Sequence, residues 1–256
     1  RLVVCCDYYP QPPGERFGKA PPKVFLWFSM DEGESFEGPY ETPVEGIVPD
    51  HVLELSDGTW LLPAHRGFRP SWRLIQRLWR SQDGGQTWQG PFVMGDVEGL
   101  QLCEAGLVEL PGGGIVAYMR ENSGLGLPAY KSISTDGGQT WSQPGETWIS
   151  GCHRPTAGLL PDGRVLVTYR WHAGRGIAKL NVCGYIEPAE SALARDRESQ
   201  RGIIFPIDFD SSPKPDTGYT GWVWLPDLQA VFVVNYIVDR ADSAQIRGYI
   251  IRDLPG

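Results

Sequence analysis

Ser81-Gln-Asp-Gly-Gly-Gln-Thr-Trp88 and Ser134-Thr-Asp-Gly-Gly-Gln-Thr-Trp141 are nearly the same eight residues, 53 positions apart. A degenerate copy, Ser29-Met-Asp-Glu-Gly-Glu-Ser-Phe36, begins 52 positions before the first. The chemistry is that of a tight turn between two strands. Asp-Gly tolerates positive φ, the carboxylate can bond neighbouring amides, and the Ser and Thr hydroxyls can close the loop over the aromatic residue. A repeat of this length matches one four-stranded antiparallel sheet. That chemistry gives Asp31, Asp83 and Asp136 a structural part as turn residues.

A second repeat runs offset from the first: an apolar run, a turn, and another apolar run. Its copies are Val52–Leu62 around Ser56-Asp57-Gly58, Gly106–Met119 around Pro111-Gly112-Gly113-Gly114, Ala157–Tyr169 around Pro161-Asp162-Gly163, and Trp222–Tyr236 around Pro226-Asp227. Each reads as a hairpin of short strands. Arg1–Cys6 reads as the second strand of one more, and Ala244–Arg252 as the outer strand of the last sheet. The spacing predicts an all-β propeller with about five blades in these residues, forming one domain over 1–256. Only Ile186–Arg201 has helical composition, expected as a short surface helix or loop between blades.

In a propeller the innermost strands line the axis, and ligands enter at one mouth of the funnel. Counting six residues back from Leu110, Leu160 and Leu225 gives Glu104, Arg154 and Tyr219; the same count from Leu55 gives Pro49, followed by Asp50 and His51. Ten residues forward, the second strand has returned to the same end, at His65, Arg120, Arg170 and Asn235. Arg66 is one step beyond. Hairpin geometry brings both sets to one rim, and a purely structural strand start needs no Glu, Arg and Tyr at equivalent places.

The eight-residue turns resemble the Asp boxes of sialidases. Cys103-Glu-Ala-Gly-Leu-Val-Glu-Leu with Arg120 behind it resembles the family's glutamate segment, and Gly218-Tyr-Thr-Gly-Trp-Val-Trp-Leu-Pro-Asp227 its nucleophile-tyrosine segment. The resemblance implies a six-bladed sialidase-type propeller that here lacks its first blade and one further strand. It also implies a retaining glycoside hydrolase with Tyr219 as nucleophile and Glu104 as its base, because a phenol can approach an anomeric carbon that bears a carboxylate where Asp or Glu would be repelled. Arg120, with Arg170 or Arg175 and with Arg154, would clamp the substrate carboxylate. Asp50, His51, His65 and Arg66 are further funnel candidates for substrate binding. The family's acid Asp and first arginine belong to the first blade; Asp7 and Glu15 are the nearest acids in the opening segment. Pro49-Asp50-His51 and His153-Arg154-Pro155 depart from the family pattern and suggest a branch acting on another acidic sugar.

Composition narrows the partners. A net charge of −8 argues against nucleic acid, and an anionic substrate must be attracted by a local cationic cluster. No apolar stretch is long enough to span a membrane. The five cysteines, two of them adjacent, read as buried thiols, and the four histidines are not spaced as a metal site. No cofactor is expected. The expected partner is a glycan with a terminal acidic sugar. The alternatives are a hydrolase or lyase for a different anionic saccharide, and a non-catalytic propeller that binds glycan or protein. The opening Arg-Leu-Val-Val-Cys-Cys, already strand-like and without an initiator Met, reads as an N-terminal truncation, so the compartment stays open.

Overall fold

The computed structural model describes residues 1–9, 21–48, 51–68, 72–172, 174 and 180–256. Asp50 and Arg175 of the candidate set, and Glu15, lie outside the described residues. Five antiparallel sheets follow one another along the chain. Blade 1 holds β1 (Leu2–Tyr8), β2 (Lys23–Ser29) and β3 (Glu37–Glu45). Blade 2 holds β4 (Leu53–Glu54), β5 (Trp60–Phe68), β6 (Arg73–Ser81) and β7 (Gln89–Gly95). Blade 3 holds β8 (Leu102–Glu109), β9 (Ile115–Glu121), β10 (Tyr130–Ser134) and β11 (Gly145–Glu146). Blade 4 holds β12 (Cys152–Leu159), β13 (Arg164–His172), β14 (Leu180–Pro188) and β15 (Ile203–Phe209). Blade 5 holds β16 (Thr217–Leu225), β17 (Ala230–Ile237) and β18 (Gln245–Ile251).

The eight-residue turn joins the third and fourth strands in blades 2 and 3. In blade 1 it joins β2 to β3, so β1 is a second strand, as its sequence suggests, and the innermost position of that blade is not filled by the described residues. The described residues form the five blades that the spacing predicts.

Successive blades pack through β3 on β5, β5 on β8, β8 on β12, and β12 and β13 on β16. The cores lie in those seams. Ile115, Ala117 and Met119 of β9 join Leu61 and Leu78 of blade 2, whereas Val116 and Tyr118 join Ala157, Val165, Val167 and Tyr169 of blade 4. Alternate side chains of one strand thus enter different cores, so strands buried on both faces read as continuous apolar runs. The approach is close at the centre: a Cβ on Gly106 of β8 would sit 2.3 Å from the Pro155 carbonyl oxygen of β12.

Two expectations need correction. The helical segment lies within blade 4, not between blades. Helix α1 (Ala189–Ala192) and a 3₁₀ turn at Arg197–Ser199 link β14 to β15, where blades 1–3 carry the eight-residue turn. Cys6 is exposed, although Cys103, Cys152 and Cys183 are buried thiols. The period of two along β1 turns Leu2, Val4, Cys6 and Tyr8 outward together.

Candidate active site

Glu104, Arg154 and Tyr219 occupy the same irregularity in three successive blades. The β8–β9 register shifts between Cys103 and Gly106, that of β12–β13 between His153 and Thr156, and that of β16–β17 between Gly218 and Gly221. Each shift is a β-bulge in which two residues oppose one, which re-aims a side chain out of the pleat. The backbone is twisted accordingly, with φ of 49° at Glu104 and 48° at Arg154, values an L-residue adopts only under constraint. Ahead of Tyr219 the positive φ, 106°, falls on Gly218, where a Cβ would meet the Arg170 side chain at 2.9 Å.

The bulges are held from the neighbouring blade. His65 and Gln76, paired across β5 and β6, are both buried. The Glu104 amide donates to His65 Nδ1 at 3.3 Å, and the Ala105 amide to Gln76 Oε1 at 3.2 Å. In the next blade the role passes to Glu104 itself, whose Oε2 accepts the Arg154 amide at 3.1 Å. The rim is a chain of such hand-overs.

Glu104 is the hub. Arg120 Nη1 donates to both of its carboxylate oxygens, at 3.1 and 3.0 Å, while Arg120 Nη2 donates to Asn122 Oδ1 at 2.6 Å. The Tyr219 hydroxyl donates to Glu104 Oε1 at 3.4 Å and accepts from Arg170 Nη2 at 3.1 Å. Arg170 Nη2 also reaches His153 Nδ1 at 3.0 Å. The guanidiniums of Arg170 and Arg154 lie over the tyrosine ring, 4.4 and 5.1 Å from its centre.

Electrostatics set the protonation states. Burial raises the Tyr219 pKa, Glu104 adds to the rise, and Arg170, Arg120 and Arg154 offset part of it, so the phenol is protonated at neutral pH. Burial lowers His65 to about 4, leaving Nδ1 unprotonated and able to accept. Burial, with Arg120, Arg170 and His172 nearby, pushes His153 down to about 2. Burial disfavours the Arg120 charge, but Glu104 together with Cys103 and Tyr219 outweighs it and the net shift is upward.

The remaining sequence candidates divide. Arg120, Arg154 and Arg170 converge with Glu104 and Tyr219. His65 is 5% exposed and reaches the Glu104 backbone, not the open funnel. Arg66 is drawn off to Glu45 Oε2 at 2.6 Å. His51 is exposed ahead of β4.

Three participants carried too little signal to be singled out as site residues. Gln76 sits in an apolar strand, and His153 stands out in the sequence only as a neighbour of Arg154. Asp7 lies on β1, half-buried, accepts the Val48 amide at 3.3 Å, and feels the charge of Arg154. Burial raises its pKa above the ordinary carboxylate value. No group of three His, Cys, Asp or Glu among the described residues forms a metal cluster, and no helix there is long and apolar enough to cross a membrane.

Residues 14–189 match the family described as BNR repeat-like domain. The chain belongs to that family. This BNR propeller has the fold of sialidase-type propellers. It superposes on a protein of unknown function from Dyadobacter fermentans with a TM-score of 0.78 and 24% identity, covering 97% of this chain and 72% of that one. A mutant of the NanB sialidase from Streptococcus pneumoniae matches with TM-score 0.62 and 18% identity, over 90% of this chain and 35% of that one. A leech intramolecular trans-sialidase complexed with 2,7-anhydro-Neu5Ac gives 0.59 and 16%, over 90% and 36%. The chain thus spans about a third of the length of these two enzymes. No curated protein sequence matches it.

Proposed function

We propose that this propeller is an exo-acting, retaining glycoside hydrolase that releases a terminal acidic sugar, sialic acid or a close relative, from a glycan. The observation that carries the reading is the contact of Tyr219 Oη with Glu104 Oε1 at 3.4 Å, beneath two guanidiniums on the tyrosine ring. The likeness of the fold to sialidases supports the choice of sugar.

The chemistry follows from charge. The anomeric carbon of such a sugar bears a carboxylate, which repels an anionic nucleophile and admits a neutral phenol. A protonated phenol is a poor nucleophile, so Glu104 takes the proton from Tyr219 Oη as the oxygen attacks. Arg170, already donating to that oxygen, stabilises the negative charge as it develops. Arg154 and Arg170 receive the substrate carboxylate, while Arg120 orients the base.

The bond from the anomeric carbon to the tyrosine oxygen forms as the glycosidic bond breaks. Asp7, kept protonated further up the pH scale by burial, gives its proton to the leaving oxygen. It then takes a proton from the water that releases the sugar from Tyr219, and Glu104 returns its proton to the tyrosine.

The test is hydrolysis of a fluorogenic sialoside by the chain and by Tyr219→Phe between about pH 4 and 8. The expected loss in the variant is about a thousandfold or more. Equal turnover by both proteins would remove Tyr219 from the mechanism. The product mass separates hydrolysis from elimination, which yields a sugar lighter by one water.

A further inference from the structure

Beside the charged rim lies a cleft of about 480 Å³ between blades 3 and 4. It shares Arg120 and His153 with the site, and Asn122, Leu127, Trp171 and His172 complete the lining that matters here. Its character differs from that of the rim, because its charged groups are paired at their exposed ends, and the one unpaired guanidinium nitrogen, Arg120 Nε, is buried out of reach of a ligand. Arg120 is spent on Glu104 and Asn122. Glu121 accepts the amides of Gln101 and Ser123 and the Ser123 hydroxyl.

The two histidines are the distinctive feature. Their rings stack with centroids 4.9 Å apart and planes within 9°. Arg170, which can only donate, bonds His153 Nδ1 at 3.0 Å, and the Gly174 amide, likewise only a donor, bonds His172 Nδ1 at 3.0 Å. Both Nδ1 atoms therefore accept, and each neutral ring carries its proton on Nε2. Burial and the neighbouring arginines lower both pKa values, which keeps the pair uncharged. Asn122, its oxygen occupied by Arg120, retains two amide hydrogens to donate. The cleft thus combines uncharged donors with aromatic and aliphatic surface.

We infer that this cleft is a subsite for a neutral pyranose, the sugar joined to the acidic residue, with His153, His172 and Asn122 donating to its hydroxyl and ring oxygens and Trp171 packing against its apolar face. The inference rests on the acidic-glycan reading of the rim for the identity of the attached residue. A hydroxyl-rich ring needs neutral donors and an apolar wall, and a second anion would find no uncommitted guanidinium there.

The experiment is saturation-transfer NMR with 3′-sialyllactose, using the chain with Tyr219→Phe so that the ligand survives. Signals from the galactose and the acidic ring are read separately, before and after adding His172→Asn. Asn keeps a side-chain oxygen to accept the Gly174 amide and removes the ring and its N–H. A melting curve checks that the fold is retained.

The account expects saturation of both rings, loss of most of the galactose signal in His172→Asn, and affinity for the trisaccharide about tenfold weaker, with free sialic acid bound as before. Saturation of the acidic ring alone overturns the subsite and leaves the proposed function standing. Saturation of galactose alone, abolished by His172→Asn, supports the subsite and overturns the acidic-sugar reading. No saturation of either ring overturns both. If His172→Asn melts out, His172→Gln with the same readout decides.

Discussion

The Asp boxes recur in blades 1–3 and the bulged rim in blades 3–5, yet the two are built on opposite plans. In the box around Asp83, the carboxylate accepts the Gln86 and Thr87 amides, the Thr87 hydroxyl and the Ser81 hydroxyl. The Asp136 box repeats this pattern with Gln139, Thr140 and Ser134. These bonds close within the eight residues, and the tryptophan N–H caps the loop on the Gly85 or Gly138 carbonyl. At the rim the bulge recurs but the residue changes, from Glu104 to Arg154 to Tyr219, and the bonds cross from blade to blade. A repeat that keeps its residues is satisfied locally and serves the fold. A repeat that keeps only its backbone irregularity can place different functional groups around one axis.

Substitutions in the two regions should therefore separate activity from stability. The largest effect is expected at the hub. Glu104→Gln removes the base while keeping the shape, and turnover of a sialoside should fall about a thousandfold per folded molecule, with some loss of melting temperature because the largely buried Arg120 loses its counter-charge. A large loss of stability with turnover retained per folded molecule would reverse the contrast drawn here.

The clamp beneath the hub should move both quantities. His65→Leu leaves the buried Glu104 amide without its acceptor, at a cost of about 1–3 kcal/mol, and lets the bulge drift, lowering kcat more than it raises KM. Denaturant titrations at several pH values add a sharper readout. The folded-state pKa of His65 is depressed from 6.5 to about 4, so below pH 6.5 the unfolded chain takes up a proton that the folded chain refuses. Stability should accordingly fall as pH drops from 6.5 towards 4, by up to about 1.4 kcal/mol per pH unit for each such group. His65→Leu should flatten that slope by one proton; an unchanged slope would show that His65 is not buried neutral.

Asp83→Asn should lower the melting temperature by a few degrees and, unlike Glu104→Gln, leave kcat/KM intact. The Asp-box carboxylates have pKa values lowered from 3.8 to about 2, so their contribution is fully present above pH 3.8 and is lost as the pH falls through about 2. The smallest effect is expected at Arg66, whose half-exposed pair with Glu45 should be worth less than about 1 kcal/mol by thermal melting of Arg66→Ala.

The same contrast explains what could be read from the sequence. The boxes were legible because every bond partner lies within a few residues, and the blades because doubly buried strands must be apolar along their length. The rim was legible by counting, since each bulge inserts the same extra residue and leaves Glu104, Arg154 and Tyr219 in step. What counting could not show depends on contacts between blades. His65 was expected in the funnel, but the seam with blade 3 buries it under a backbone amide. Arg120, read as a carboxylate clamp, also pairs with Glu104 inside its own blade. Gln76 looked like one polar residue in an apolar strand. Asp7 gave no motif because its neighbours Val48 and Arg154 are far along the chain.

The central claim is that Tyr219, deprotonated by Glu104, attacks the sugar. Its most direct test is intact-protein and peptide mass spectrometry after incubation with a sialosyl fluoride that carries a second fluorine beside the anomeric carbon, which slows release of a covalent intermediate. The account predicts one added sugar mass, mapped to the peptide containing Tyr219, and none in Glu104→Gln over the same time. An adduct on another residue, or turnover of the reagent by inversion with no adduct, would contradict it.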